Sequence, residues 1–106
     1  MKHYRIENTG RRGWFVGSFP EAALQTTLTE VCYTVEQPGM LARHFHRVCT
    51  EVVLVVEGRI KTGGIEYIAG DILVYEPGEI NDTEVLETAT LIGVKTPAGG
   101  QDKVLV

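Results

Sequence analysis

The stretch His44-Phe45-His46-Arg47-Val48-Cys49-Thr50-Glu51-Val52-Val53-Leu54-Val55-Val56-Glu57-Gly58 sets two imidazoles and a carboxylate ahead of a run of β-branched residues. Side chains alternate along a strand, so His44 and His46 project from one face. Glu51 follows His46 by five residues, an odd number, and in an uninterrupted strand it would point the other way. The intervening Arg47-Val48-Cys49-Thr50 therefore has to form a turn or bulge that restores the inward direction. From Glu51 onward, Val53 and Val55 then face inward with it, and Val52, Leu54 and Val56 face outward. An apolar run of this kind suits a strand covered on both faces, the second by another sheet or another subunit. The outward stripe is a candidate interface and points to a homodimer.

Two imidazoles and a carboxylate form a donor set that suits a divalent transition metal: iron, manganese, nickel, cobalt or zinc. His44, His46 and Glu51 are accordingly the first candidate metal ligands.

Outward from this stretch, turn signals recur every few residues with β-branched residues between them, the pattern of an all-β sandwich or barrel. Trp14-Phe15-Val16, flanked by Gly13 and Gly17, reads as a short strand. Residues 21–28 suit a turn of helix, or a strand or loop given Thr26 and Thr27. Residues 31–36 alternate and end at the turn Gln37-Pro38-Gly39. Glu57-Gly58 is expected to turn the chain into a strand over 59–62, and Gly63-Gly64 to make a hairpin into 65–68. Strands are further expected over 72–75, around 83–86 and 90–95, and at the edge over 104–106.

The chain has 106 residues, which predicts one domain over 1–106. Its net charge is −4 and its ten Lys and Arg are scattered, which argues against nucleic acid or an anionic membrane as partner. No apolar run is long enough to span a bilayer, and residues 1–7 have no apolar core of a secretory signal, so a cytoplasmic location is expected. Cys32 and Cys49 are too few for a disulfide framework and are expected to be free, partly buried thiols.

These spacings resemble the cupin family, small β-barrels of the jelly-roll or double-stranded β-helix type. The first cupin motif is matched over about 39–58 by Gly39, His44, His46, Glu51 and Gly58, with Gly39 one residue closer to His44 than is usual. The second is matched over about 70–81 by Gly70, Gly78 and the spacing to position 81. Glu76 stands where a proline is usual, with Pro77 next to it. Asn81 occupies the place of the third histidine ligand, and Val85 the place of a further Asn found in some members.

The resemblance implies an all-β cupin barrel receiving a small polar molecule. Its metal would be held by His44, His46 and Glu51, with Asn81 as a weak fourth ligand or a hydrogen-bond donor to substrate. The metal would serve dioxygenase, isomerase or decarboxylase chemistry. An alternative is a metal-free sensor or carrier in which His44, Glu51 and Asn81 hydrogen-bond a sugar or carboxylate. A third is a metal-independent isomerase or epimerase, which would need a His–carboxylate pair and a Tyr acid across the pocket. Tyr33, Tyr67 and Tyr75 are candidates for the cavity wall, with core packing their commoner role. His3 and the acidic residues Glu79, Asp82, Glu84 and Glu87 are expected to be solvated, and Cys49 to be a packed or exposed thiol rather than a soft ligand.

Overall fold

The valine-rich run is the first half of a strand far longer than turn chemistry alone suggests. The computed structural model describes residues 1–100 and 102–106. Among the described residues ten strands are formed: β1 (Trp14–Gly17), β2 (Leu24–Gln25), β3 (Glu30–Glu36), β4 (Gly39–Met40), β5 (His44–His46), β6 (Thr50–Thr62), β7 (Ile65–Ile68), β8 (Ile72–Tyr75), β9 (Glu84–Thr96) and β10 (Lys103–Leu105). Among the described residues the single helical segment is a 3-10 turn at Ile6–Asn8, so residues 21–28 carry a short strand and no helix. Among the described residues no helix is long and apolar enough to cross a membrane.

The larger sheet runs in the order β2-β1-β3-β9-β6-β7, with β4 also on β9 and β8 also on β6. A second sheet pairs β10 with β5, and β5 meets Asn81 through the mutual backbone bonds of His44 and Asn81. The turn expected at Glu57-Gly58 is instead a bulge. β6 and β9 stay antiparallel along their lengths, but their register shifts between Val55 and Ile60. Gly58 makes this possible: its φ is +90°, and a Cβ there would collide with the Thr88 carbonyl oxygen. The two strands expected over 83–86 and 90–95 are likewise one bent strand, β9.

Beyond the bulge, β9 pairs with β4 through Val85 and Glu84, while its other half pairs with β3. Val55, Ile60, Val85, Ala89 and Leu91 form the buried cluster, drawn from both halves of the two bent strands. Leu41, Val53, Tyr67 and Leu73 pack against it.

Cross-strand register sorts the residues of the large sheet into two faces. One inner row runs Glu30–Lys95–Glu51–Tyr75 across β3, β9, β6 and β8. The adjacent row on the opposite face runs Val31–Val94–Val52–Val74, and the next runs Tyr33–Ile92–Leu54–Ile72. Val55 is fully buried, whereas Ile72 and Val74 are 63% and 52% exposed, as the inward–outward alternation from Glu51 requires.

Candidate metal centre

His44 and His46 stand on β5, and the chain bends at Arg47 and Val48 before β6 begins at Thr50. That bend brings Glu51 back to the face of the histidines, the inversion its odd spacing demanded. One ligand atom from each of His44, His46 and Glu51 lies within 4.8 Å of the others. His44 Nε2 is 3.9 Å from Glu51 Oε1 and His46 Nε2 is 3.7 Å from Glu51 Oε2. Both separations exceed hydrogen-bonding distance. They leave between each imidazole and the carboxylate a gap of the size spanned by two metal–ligand bonds of about 2.0–2.2 Å.

The tautomers of both rings are set from behind. His44 Nδ1 lies 2.8 Å from the Ala42 carbonyl oxygen, and His46 Nδ1 lies 2.8 Å from Asp102 Oδ1. Neither acceptor can donate, so each Nδ1 carries a proton, and Nε2, the ring atom turned toward Glu51, offers its lone pair when the ring is neutral. A ligating histidine needs that arrangement. The donor set therefore fits a divalent transition metal.

Electrostatics are consistent with a carboxylate among imidazoles. Burial acting alone would raise Glu51, but His46, His44 and Lys95 outweigh it and hold its carboxyl below the usual range. His46 is raised by the facing Glu51 carboxylate, against burial and with help from Asp102, whereas burial lowers His44. Cys49 is fully buried, and burial together with Asp102 pushes its thiol up to about 12, so it is protonated at neutral pH. Cys32, also buried and unpaired, is pushed up to about 11.

Asn81 lines the same cavity beside His44. Its Oδ1 accepts from the Thr83 backbone N–H at 3.1 Å and from the Thr83 hydroxyl at 2.5 Å. The amide oxygen is thus engaged within its own turn, and the amide nitrogen is the group left for other contacts.

The cavity is open to solvent, has a volume of about 600 Å³ and extends from the histidines to Trp14, Glu30 and Lys95, with exposed Arg12 and Lys103 at its rim. Lys95 Nζ is 3.1 Å from Glu30 Oε2 and 4.6 Å from the centre of the Trp14 ring. None of the three candidate tyrosines lines this cavity. Tyr67 and Tyr75 border a smaller hollow, and Tyr33 lies on the outer face, because register places it in the row with Ile92 and Leu54. Tyr75 is tied to Thr62 through its hydroxyl. His46 and Asp102 form a buried His–carboxylate pair. Asp102 belongs to no motif and reaches the site only through the pairing of β10 with β5.

The fold is the double-stranded β-helix of the cupins. Three solved structures give the extent of that likeness. A protein with a double-stranded β-helix domain from Klebsiella pneumoniae subsp. pneumoniae is 21% identical, with 99% of this chain and 91% of that one covered at a TM-score of 0.70. An RmlC-like cupin from Shewanella frigidimarina is 21% identical, with 71% of each chain covered at a TM-score of 0.62. Pac13, a nucleoside dehydratase from Streptomyces, is 14% identical, with 100% of this chain and 91% of that one covered at a TM-score of 0.75. No family model matches the chain, and no curated protein does.

Proposed function

We propose that this cupin barrel binds a divalent transition metal through His44, His46 and Glu51 and receives a small anionic molecule in the adjoining cavity. The observation that carries the reading is the convergence of the His44 and His46 Nε2 atoms on the Glu51 carboxylate across gaps of 3.9 and 3.7 Å. When bound, such a metal supplies Lewis acidity or a dioxygen-binding centre, as an isomerase, decarboxylase or dioxygenase requires. Asn81 is assigned the role of hydrogen-bond donor to the bound molecule, because its oxygen is already taken by Thr83.

The charge of the cavity wall supports an anionic ligand. Arg11, Arg12, Lys95 and Lys103 line it with Glu30, Glu36 and Glu51, while Arg11 is paired with Glu21 and Lys95 with Glu30. A divalent ion at the histidines makes the cavity positive. Lys95 is the buried member of the cationic set and faces the same interior as Glu51, its neighbour across β6 and β9.

The second reading, a metal-free sensor or carrier, draws on Asn81 in place of a third imidazole ligand. The two are separated by thermal melting with zinc or manganese, and then with a panel of small carboxylates, each with and without chelator. A metal-dependent rise in melting temperature that chelator abolishes supports the metal site. A carboxylate-dependent rise that chelator leaves unchanged supports the metal-free reading and contradicts the first.

The apolar outer face supports pairing with a second copy of this chain. Val52 and Leu54 are half-buried there, and Ile72 and Val74 extend the same surface into solvent.

A further inference from the structure

Behind the histidine pair lies a second group of convergent side chains, His46, Cys49 and Asp102, all buried. Its composition resembles that of a metal site, but its hydrogen bonds do not. Asp102 Oδ1 accepts from His46 Nδ1–H at 2.8 Å. Oδ2 accepts from the backbone N–H groups of Val48 at 3.1 Å and Cys49 at 2.9 Å. Both carboxylate oxygens thereby accept hydrogen bonds from donors already in the fold. Three N–H donors thus hold the carboxylate in place without an ion.

We propose that Asp102 is a positioning residue for the metal centre, fixing His46 in the Nδ1–H tautomer with its Nε2 aimed at Glu51, and clamping the bend at Val48 and Cys49 that returns Glu51 to the site. The inference rests on the metal reading above and extends it to the strand β10. The two tasks are coupled in one side chain. Oδ1 orients the first ligand strand, and Oδ2 holds the turn that leads to the third ligand. Arg47 N–H also donates to the Asp102 carbonyl oxygen at 3.1 Å, so backbone and side chain grip the same bend. β10 holds Asp102 in place through its register with β5, in which Lys103 stands opposite His46 and Leu105 opposite His44. His44 is oriented differently, by a carbonyl oxygen two residues away in its own loop. Asp102 therefore acts on one histidine of the pair.

The test uses the wild-type chain and Asp102→Asn. Asn keeps the shape, but its amide nitrogen would face either the imidazole N–H or the two backbone N–H groups. Zinc affinity, measured by competition with a chromophoric chelator, is expected to fall 10- to 100-fold in the variant. Nitrogen-15 imidazole spectra of the metal-free proteins, at a pH where both rings are neutral, supply a readout that a loss of stability alone would not move. His46 is expected as the Nδ1–H tautomer in wild type and as Nε2–H or a mixture in Asp102→Asn, with His44 unchanged. Zinc affinity within twofold of wild type in the variant would overturn the proposal. So would an Nε2–H tautomer of His46 in the wild type, a measurement that stands even where the variant does not fold. A further variant, Cys49→Ala, is expected to bind zinc as wild type does, and loss of binding there would place the metal in the rear group instead. Wild-type protein that binds no zinc while His46 keeps the Nδ1–H tautomer would contradict the metal reading. It would also limit Asp102 to holding the ring and the bend.

Discussion

The ammonium of Lys95 sits 3.1 Å from Glu30 Oε2, with both side chains nearly removed from solvent. Glu30, Lys95 and Glu51 occupy one cross-strand row, so a cation lies between two carboxylate-bearing strands on the cavity side of the sheet. Removing one member of a buried pair leaves the other without its counter-charge, and this costs more than the pair itself contributes. Lys95→Met leaves Glu30, among the described residues, with the Gly100 N–H at 3.2 Å as a partner. The variant is expected to unfold in urea with a stability lower by about 3 kcal/mol and to bind small carboxylates more weakly. An unchanged urea midpoint together with unchanged carboxylate affinity would contradict the role given to Lys95.

The two histidines are expected to differ in what they do for the fold. Replacing His46 by Ala strips the buried Asp102 of its imidazole donor, and Asp102 is only 7% exposed. Replacing His44 removes a bond to a carbonyl in an exposed loop. His46→Ala is therefore expected to destabilise the metal-free protein by about 1–3 kcal/mol more than His44→Ala does. Denaturant unfolding in chelator measures the difference, and equal losses would count against it.

Cys32 gives stability a pH dependence of its own. Burial is the largest influence on its thiol and pushes it up from 9.0 to about 11. The folded chain keeps the proton where the unfolded chain has released it. The contribution is thus complete below pH 9 and is lost as pH rises through about 11. Its size is on the order of 2 kcal/mol. Stability curves of wild type and Cys32→Ala are expected to converge across this window, because the other alkaline groups are common to both. Parallel curves would show that Cys32 titrates alike in both states.

The outer face predicts self-association. Ile72 and Val74 stand beside Leu54 and Val52 across β8 and β6, forming one apolar surface with Ile92 and Val94. Sedimentation equilibrium of the wild type is expected to give a dimer, and Val74→Asp a monomer that keeps the fold. A wild type that is monomeric at the highest soluble concentration would contradict the assignment of this face.

How far these features can be read in the chain depends on their separation in sequence. His44, His46 and Glu51 are close neighbours, and strand periodicity alone required a bend between His46 and Glu51. The valine alternation gave the inner and outer faces for the same reason. Gly58 was harder to read, because a glycine with positive φ serves a turn or a bulge equally well. The choice was made by the continued pairing of β6 with β9, which is not local. Lys95 and Asp102 were not legible as site residues. Lys95 reaches Glu51 through cross-strand register, and Asp102 reaches His46 across 56 residues through β10. Tyr33 failed as a wall residue because its alternation in β3 turns it away from the cavity.

The function proposed for the barrel requires that His44, His46 and Glu51 hold a metal. Elemental analysis of untagged protein, reconstituted with divalent metals and then desalted, is expected to find close to one equivalent of transition metal per chain. The metal should fall to background in His44→Ala and in His46→Ala. Wild-type protein that retains no metal, or variants that retain as much as wild type, would contradict it.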